Sequence, residues 1–228
     1  MTPRQVKSLF RIYIDEPDVT FVTDDNVITY LDAGYREFRN MVSDICPTIY
    51  ETFVTYAPST PASELDLRTA LANESGVAVK LCGPAATAGA NLVRLLRISE
   101  IDSDGEHIHY FNPVNNVRSL YSTASSYALV AEKIKFGQKM GGLYRIDYVP
   151  GALTWSSLSA DQPIDELDAF HDVIALLAAK QYFIQDGAIS QPIMMQMQDR
   201  LTRFQEYLRE RADPETCYVQ VIDWFGGY

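Results

Sequence analysis

The spacing of hydrophobic positions changes twice along the chain, from helical to alternating and back to helical. Thr2, Pro3 and Gln5 form a helix start, with an N-cap hydroxyl, a proline at N1 and a glutamine that reaches back to the cap. Val6, Leu9, Phe10 and Tyr13 then share one face, and Pro17 ends this first helix. A second start follows at Thr23-Asp24-Asp25, where acidic residues suit the positive end of the helix dipole. From there Ile28, Leu31, Tyr35, Phe38, Val42 and Ile45 recur at alternating steps of three and four, up to Pro47. They predict the packing face of a long helix.

Between the helical ends the period drops to two. Strands are predicted at 51–56, 77–81, 92–101, 107–111, 127–136 and 143–149, with Asp102-Ser103-Asp104-Gly105 and the glycine-rich segment 137–142 as turns. The segment 58–75 reads as a loop with one helical turn at 65–71. After Pro163 a third helix runs to about Ile184 with Leu167, Phe170, Ile174 and Leu177 on one side, and Asp186-Gly187 breaks it. A fourth helix begins near Ser190 and carries Met194, Met197, Leu201, Phe204 and Leu208 as its packing face, with a charged opposite side. Beyond Pro214 comes an aromatic and β-branched run that includes Tyr218, Val219, Val221, Ile222, Trp224, Phe225 and Tyr228. The expected fold class is α+β: a bundle of about four helices, two N-terminal and two C-terminal, with a β-rich insertion between helices 2 and 3 and an extended C-terminal tail. The expected bounds are 1–48 and 160–212 for the helical body, 49–159 for the insertion and 213–228 for the tail.

Composition narrows the function. The 228 residues are 47% hydrophobic and 21% charged, with a net charge of -11 and an isoelectric point near 4.7. Such a surface is unsuited to gripping a phosphate backbone, which draws its energy from Lys and Arg displacing counterions. No stretch approaches the roughly 18 consecutive apolar residues of a membrane helix, and no signal region follows Met1, so neither membrane insertion nor secretion is expected. Cys46, Cys82 and Cys217 are widely spaced and odd in number, which suggests reduced thiols and neither a disulfide framework nor zinc.

Candidate chemistry is sparse. His107 and His109 fall on one predicted strand face, but no third ligand has a metal-site spacing. His171 stands beside Asp172, and adjacent helix residues do not face each other, so a surface histidine is expected. The carboxylate pairs Glu64/Asp66 and Asp165/Glu166 lie where helix starts favour acids. No phosphate-binding glycine loop or nucleophile elbow is present. The expectation is a protein that is not an enzyme and carries no cofactor or metal. Met194 and Met197 are expected in the core, while Met195 falls off the stripe toward a neighbour.

The order of parts resembles the head-to-tail adaptor, or connector, proteins of tailed bacteriophages. The resemblance rests on the second helix with Val27-Ile28-Thr29-Tyr30-Leu31-Asp32-Ala33-Gly34-Tyr35-Arg36-Glu37-Phe38, then a β insertion. It continues with Pro150-Gly151-Ala152-Leu153-Thr154, the segment Phe170 to Lys180, and a long helix ending Leu208-Arg209-Glu210-Arg211. It implies a structural virion protein at the head-tail junction, assembled in the host cytoplasm. Copies form a ring, commonly of twelve, beneath the portal protein, a nozzle or tail-tube protein attaches to the far side, and the genome passes through without specific binding. Within that reading Tyr218 to Tyr228 docks on the portal or folds back over its own subunit, and the turn at Asp102, Asp104 and Glu106 faces the tail component. Another tail-completion or nozzle subunit, and an α+β ligand-binding domain, are the alternatives.

Overall fold

The computed structural model describes residues 1–16, 21–83, 86–87, 89–115, 117–120, 125–187 and 191–212. Helices α1 (Pro3–Tyr13) and α2 (Asp24–Ile45) come first. Strands β1 (Thr52–Tyr56), β2 (Ala62–Asp66), β3 (Leu71–Asn73), β4 (Ala78–Val79), β5 (Leu92–Ile101) and β6 (His107–Pro113) follow. A one-turn helix α3 (Val117–Leu120) precedes β7 (Ser126–Val130), β8 (Lys133–Met140) and β9 (Leu143–Pro150), and the chain returns to helix in α4 (Asp172–Asp186) and α5 (Gln191–Arg211). Two compact units result: a helical one from Met1–Ile49 with the segment after Ala152, and a sheet unit over Tyr50–Gly151.

The helical unit is organised around α4. Val173, Ile174, Ala175, Leu176, Leu177, Ala178 and Ala179 are all fully buried, so this helix is apolar on every side and has to be surrounded. α2 makes the closest approach. A Cβ placed on Gly34 would stand 2.7 Å from the Ile174 carbonyl oxygen and 2.8 Å from the Ala178 nitrogen, so only glycine lets the two backbones meet. Phe38 of α2 stacks on Phe204 of α5 with ring centroids 4.8 Å apart, which brings in the last helix. Arg200 of α5 fixes its register by donating to both Asp172 carboxylate oxygens at 2.6 Å and to the Ala169 carbonyl at 2.9 Å. At the start of α2, Asp24 accepts from Lys7 at 2.9 Å and from the buried Arg11 at 2.7 Å, tying α1 to α2.

In the sheet unit the strand order is β2-β8-β7-β6-β5-β9-β1-β3-β4, antiparallel throughout except for a short parallel pairing of β6 with β7. Register places Val54, Ile146 and Ile98 side by side on three neighbouring strands, on the core face. One residue along, Phe53, Asp147 and Arg97 align on the opposite face. Sixteen buried residues, among them Leu65, Leu95, Phe111, Tyr127, Phe136 and Tyr148, make a separate hydrophobic core.

This corrects the expected fold class. The protein is not a four-helix bundle with a β-rich insertion. Among the described residues it is a mixed α/β protein with five α-helices and a large, curled nine-stranded sheet forming a half-barrel. The reason is that the β segment closes a core of its own, with strands that the alternation rule missed. The expected loop 58–75 contains β2 and β3, where Leu65 is buried between Glu64 and Asp66 and Leu71 between two alanines. The single expected strand 127–136 is two, β7 and β8, joined at Ala131-Glu132 with Ala131 at φ +51°. The third predicted helix starts later than expected, at Asp172, after a 3-10 turn over Asp168–Phe170.

Gly34→Ala is expected to lower the unfolding free energy by about 1–3 kcal/mol or more, because overpacking against backbone has no side chain to yield. Urea denaturation reads this as a lower midpoint; an unchanged midpoint would show that α2 and α4 separate at no cost. A pH dependence follows from Asp24, whose carboxyl is held below the usual carboxylate range first by the Lys7 hydrogen bond and then by Arg11. A depressed folded value means stabilisation present at neutral pH and lost as pH falls through that range and below. Asp24→Asn is expected to lower the melting temperature at pH 7 and to flatten its fall below about pH 4.

Candidate assembly surfaces

The predicted packing faces lie inside the helical unit. On α2, Leu31, Tyr35, Phe38 and Val42 are buried, while Ile28 and Ile45 are half-buried; Val27 and Gly34 complete the face. On α5, Met197, Phe204 and Leu208 are buried, and Met194 and Leu201 half-buried. These residues meet α4 and one another within one copy. The large apolar side chains left exposed in this unit include Ile12, Phe21, Ile184 and Met195.

The turn between β5 and β6 owes its shape to Asp102. Its Oδ1 accepts from the backbone nitrogens of Asp104 and Glu106, each at 2.9 Å, while Gly105 takes φ +86°. Asp104 and Glu106 are exposed and enter this scaffold through their backbones, not their side chains. The three expected tail-facing carboxylates therefore divide into one that holds the turn and two that are presented by it. Beyond the turn, Ile108 and Tyr110 of β6 are 64% and 51% exposed. Tyr218, Val219, Val221, Ile222, Trp224, Phe225 and Tyr228 lie outside the described residues.

Of the sequence's acid, base and ligand candidates only His171 and Asp165 come together, at 2.6 Å; the others stand apart. His107 Nδ1 lies 2.9 Å from Ser99 Oγ, whereas His109 packs edge-on against Phe111. Glu64 pairs with Lys133 at 2.8 Å. Asp66 is bound by Arg68, whose hydrogen bonds hold its carboxyl far below the usual range. Among the described residues no group of three or more His, Cys, Asp or Glu is placed to hold a metal ion. Burial pushes the Cys82 thiol up, the reverse of nucleophile activation. No helix among the described residues is long and apolar enough to cross a membrane.

Two polar constellations escaped the sequence reading. His171 is not a surface histidine: it is fully buried, and its Nε2 donates to Asp165 Oδ1 at 2.6 Å. Asp165 Oδ1 also accepts from the Leu167 nitrogen at 2.8 Å, so this carboxylate shapes the entry to α4. In the sheet unit the fully buried Asp147 accepts from Arg97 at 2.8 Å and Arg145 at 2.7 Å. Arg97 reaches on to Glu51 at 2.6 Å, and Arg145 lies over the Phe53 ring at 3.9 Å. Burial pushes the Glu51 carboxyl up, against the opposing pull of Arg97. The signal for this network is Asp147 between Ile146 and Tyr148 in a mostly apolar strand, with Arg145 two residues before it, since a carboxylate buried there needs a cation beside it. No protein-family model and no curated protein matches the chain.

Proposed function

We propose that the chain is a head-to-tail adaptor of tailed bacteriophages, a structural protein whose copies form a ring joining the portal to the tail and letting the genome pass. The observation that carries the reading is the discontinuous helical unit. α1 and α2 precede the sheet segment and α4 and α5 follow it; Gly34 of α2 meets α4, Phe38 of α2 stacks on Phe204 of α5, and Lys7 and Arg11 tie α1 to α2. The sequence resemblance rests on this order of helical, β and helical segments. The net charge of -11 also supports it, since an acidic lumen repels phosphates and leaves DNA free to move.

The test is sedimentation of the full chain with and without purified portal. The expected outcome is a low-order species that becomes a ring on portal addition; a chain that stays low-order beside the portal overturns the reading. Deleting residues 216–228 is expected to leave the helical melting transition in place and to abolish joining to portal-containing heads. In the sheet unit, reversing Asp104 and Glu106 to lysine is expected to block attachment of the nozzle or tail-tube protein without loosening the turn, because Asp102 is left to hold it. Normal tail attachment by that double variant would remove the turn from the contact.

A further inference from the structure

The helical unit carries two surfaces that lack charge where the rest of the chain has it. The first is a groove between α2 and α4 lined by Asn26, Thr29, Tyr30, Ala33, Gln181 and Gln185. Tyr30 donates to Gln185 Oε1 at 2.7 Å across it. Thr29 and Ala33 are small and exposed, which leaves room between the two helices. The lining itself is uncharged, while Asp25, Asp186 and the ion pair of Lys180 with Glu37, 3.0 Å long, border it. Ile184, beside Gln185 in the chain, is 60% exposed.

The second surface is the first two turns of α5. Gln191 to Gln198 contains no charged residue, and charges begin at Asp199. Gln191, Pro192, Met195, Gln196 and Gln198 are exposed, Met195 at 73%. Downstream, the exposed side of the same helix is dense with charge, including the Arg203–Asp199 pair at 3.1 Å. Solvated helix faces ordinarily carry charge, and its depletion together with an exposed, adaptable methionine marks the centre of a protein contact.

We infer that the α2–α4 groove of one copy receives the Gln191–Gln198 face of α5 from a second copy. Met195 seats over Thr29 and Ala33, and the glutamine amides pair with Asn26, Gln181 and Gln185. Both surfaces are uncharged and amide-rich, so each satisfies the other without burying an unpaired ion, and neither suits a charged partner. The inference rests on the ring reading and deepens it: groove and ridge are different surfaces, and such a head-to-tail contact is the kind that closes into a ring.

The test uses the full chain with portal, followed by sedimentation velocity and native mass spectrometry. Ala33→Glu and Met195→Lys each place a charge at an exposed position, so circular dichroism melting is expected to stay within a few degrees of the parent. Each single variant is expected to raise the concentration needed for ring formation by about tenfold or more, and the two together to recover it by pairing opposite charges. Should either lose its melting transition, Met195→Ser, which adds no charge, is expected to weaken assembly in the same direction. Parent-like assembly by the folded single variants overturns the inference and leaves the adaptor reading standing. A parent chain that never assembles overturns both.

Discussion

The helical unit depends on one close contact, the crossing of α2 over α4 at Gly34. A glycine inside a helix costs about 1 kcal/mol relative to alanine, so its place in the third turn of α2 needs a compensating reason. That reason is the Ile174 carbonyl and the Ala178 backbone, which stand where a Cβ would be. α4 cannot relax away, because seven consecutive residues from Val173 to Ala179 are buried and every direction already holds a neighbour. Phe38, one turn past Gly34 on α2, stacks on Phe204 of α5, so the same helix that meets α4 also holds the last helix. The chain must therefore finish the sheet segment before it can supply the helix that α2 was made to fit.

Around that contact, acidic residues at helix starts act twice. Asp24 opens α2 and Asp172 opens α4, where the exposed backbone N–H groups favour negative charge. Each also receives a cation from another helix: Lys7 and Arg11 in the first case, Arg200 in the second. A charge that local sequence places for dipole reasons thus becomes the peg that sets the packing of α1 and α5. Asp165 follows the same logic one step earlier, shaping the entry to α4 and satisfying the buried His171. The sheet unit uses a different device. Asp147 stands alone between apolar residues, and flanking arginines from β5 and β9 turn a costly buried charge into a cross-strand tie.

Much of the helical unit was legible in the sequence because its signals are local. The capping box at Thr2 and Gln5, the cap at Thr23 and the left-handed Gly187 end the helices where the residues say they should. The buried stripe on α2 begins at Val27, one residue before Ile28, and includes Gly34; a glycine adds nothing to a hydrophobic pattern, yet this one makes the tightest contact. The sheet was less legible because two of its strands are edge-like. β2 has the sequence Ala-Ser-Glu-Leu-Asp and buries only Leu65, with Glu64 paired across to Lys133. The β7–β8 turn uses Ala131-Glu132, without the Asn-Gly or Asp-Gly that announces a hairpin, so two strands read as one. Counting strands short is what made a half-barrel with its own core look like an insertion.

The candidate surfaces were legible to the extent that function depends on composition. That Met195 lies off the stripe follows from its spacing, and its exposure agrees. What spacing alone did not show is that its surroundings from Gln191 to Gln198 are uncharged on the solvent side, and that an equally uncharged groove exists on α2 and α4. The buried residues of α5, Met197, Phe204 and Leu208, do not account for the charge segregation on its exposed side. If only folding constrained α5, its exposed face would carry charge in the first two turns as it does in the later ones. In the proposed ring, the surface of a neighbouring copy is the constraint that folding of one copy does not supply.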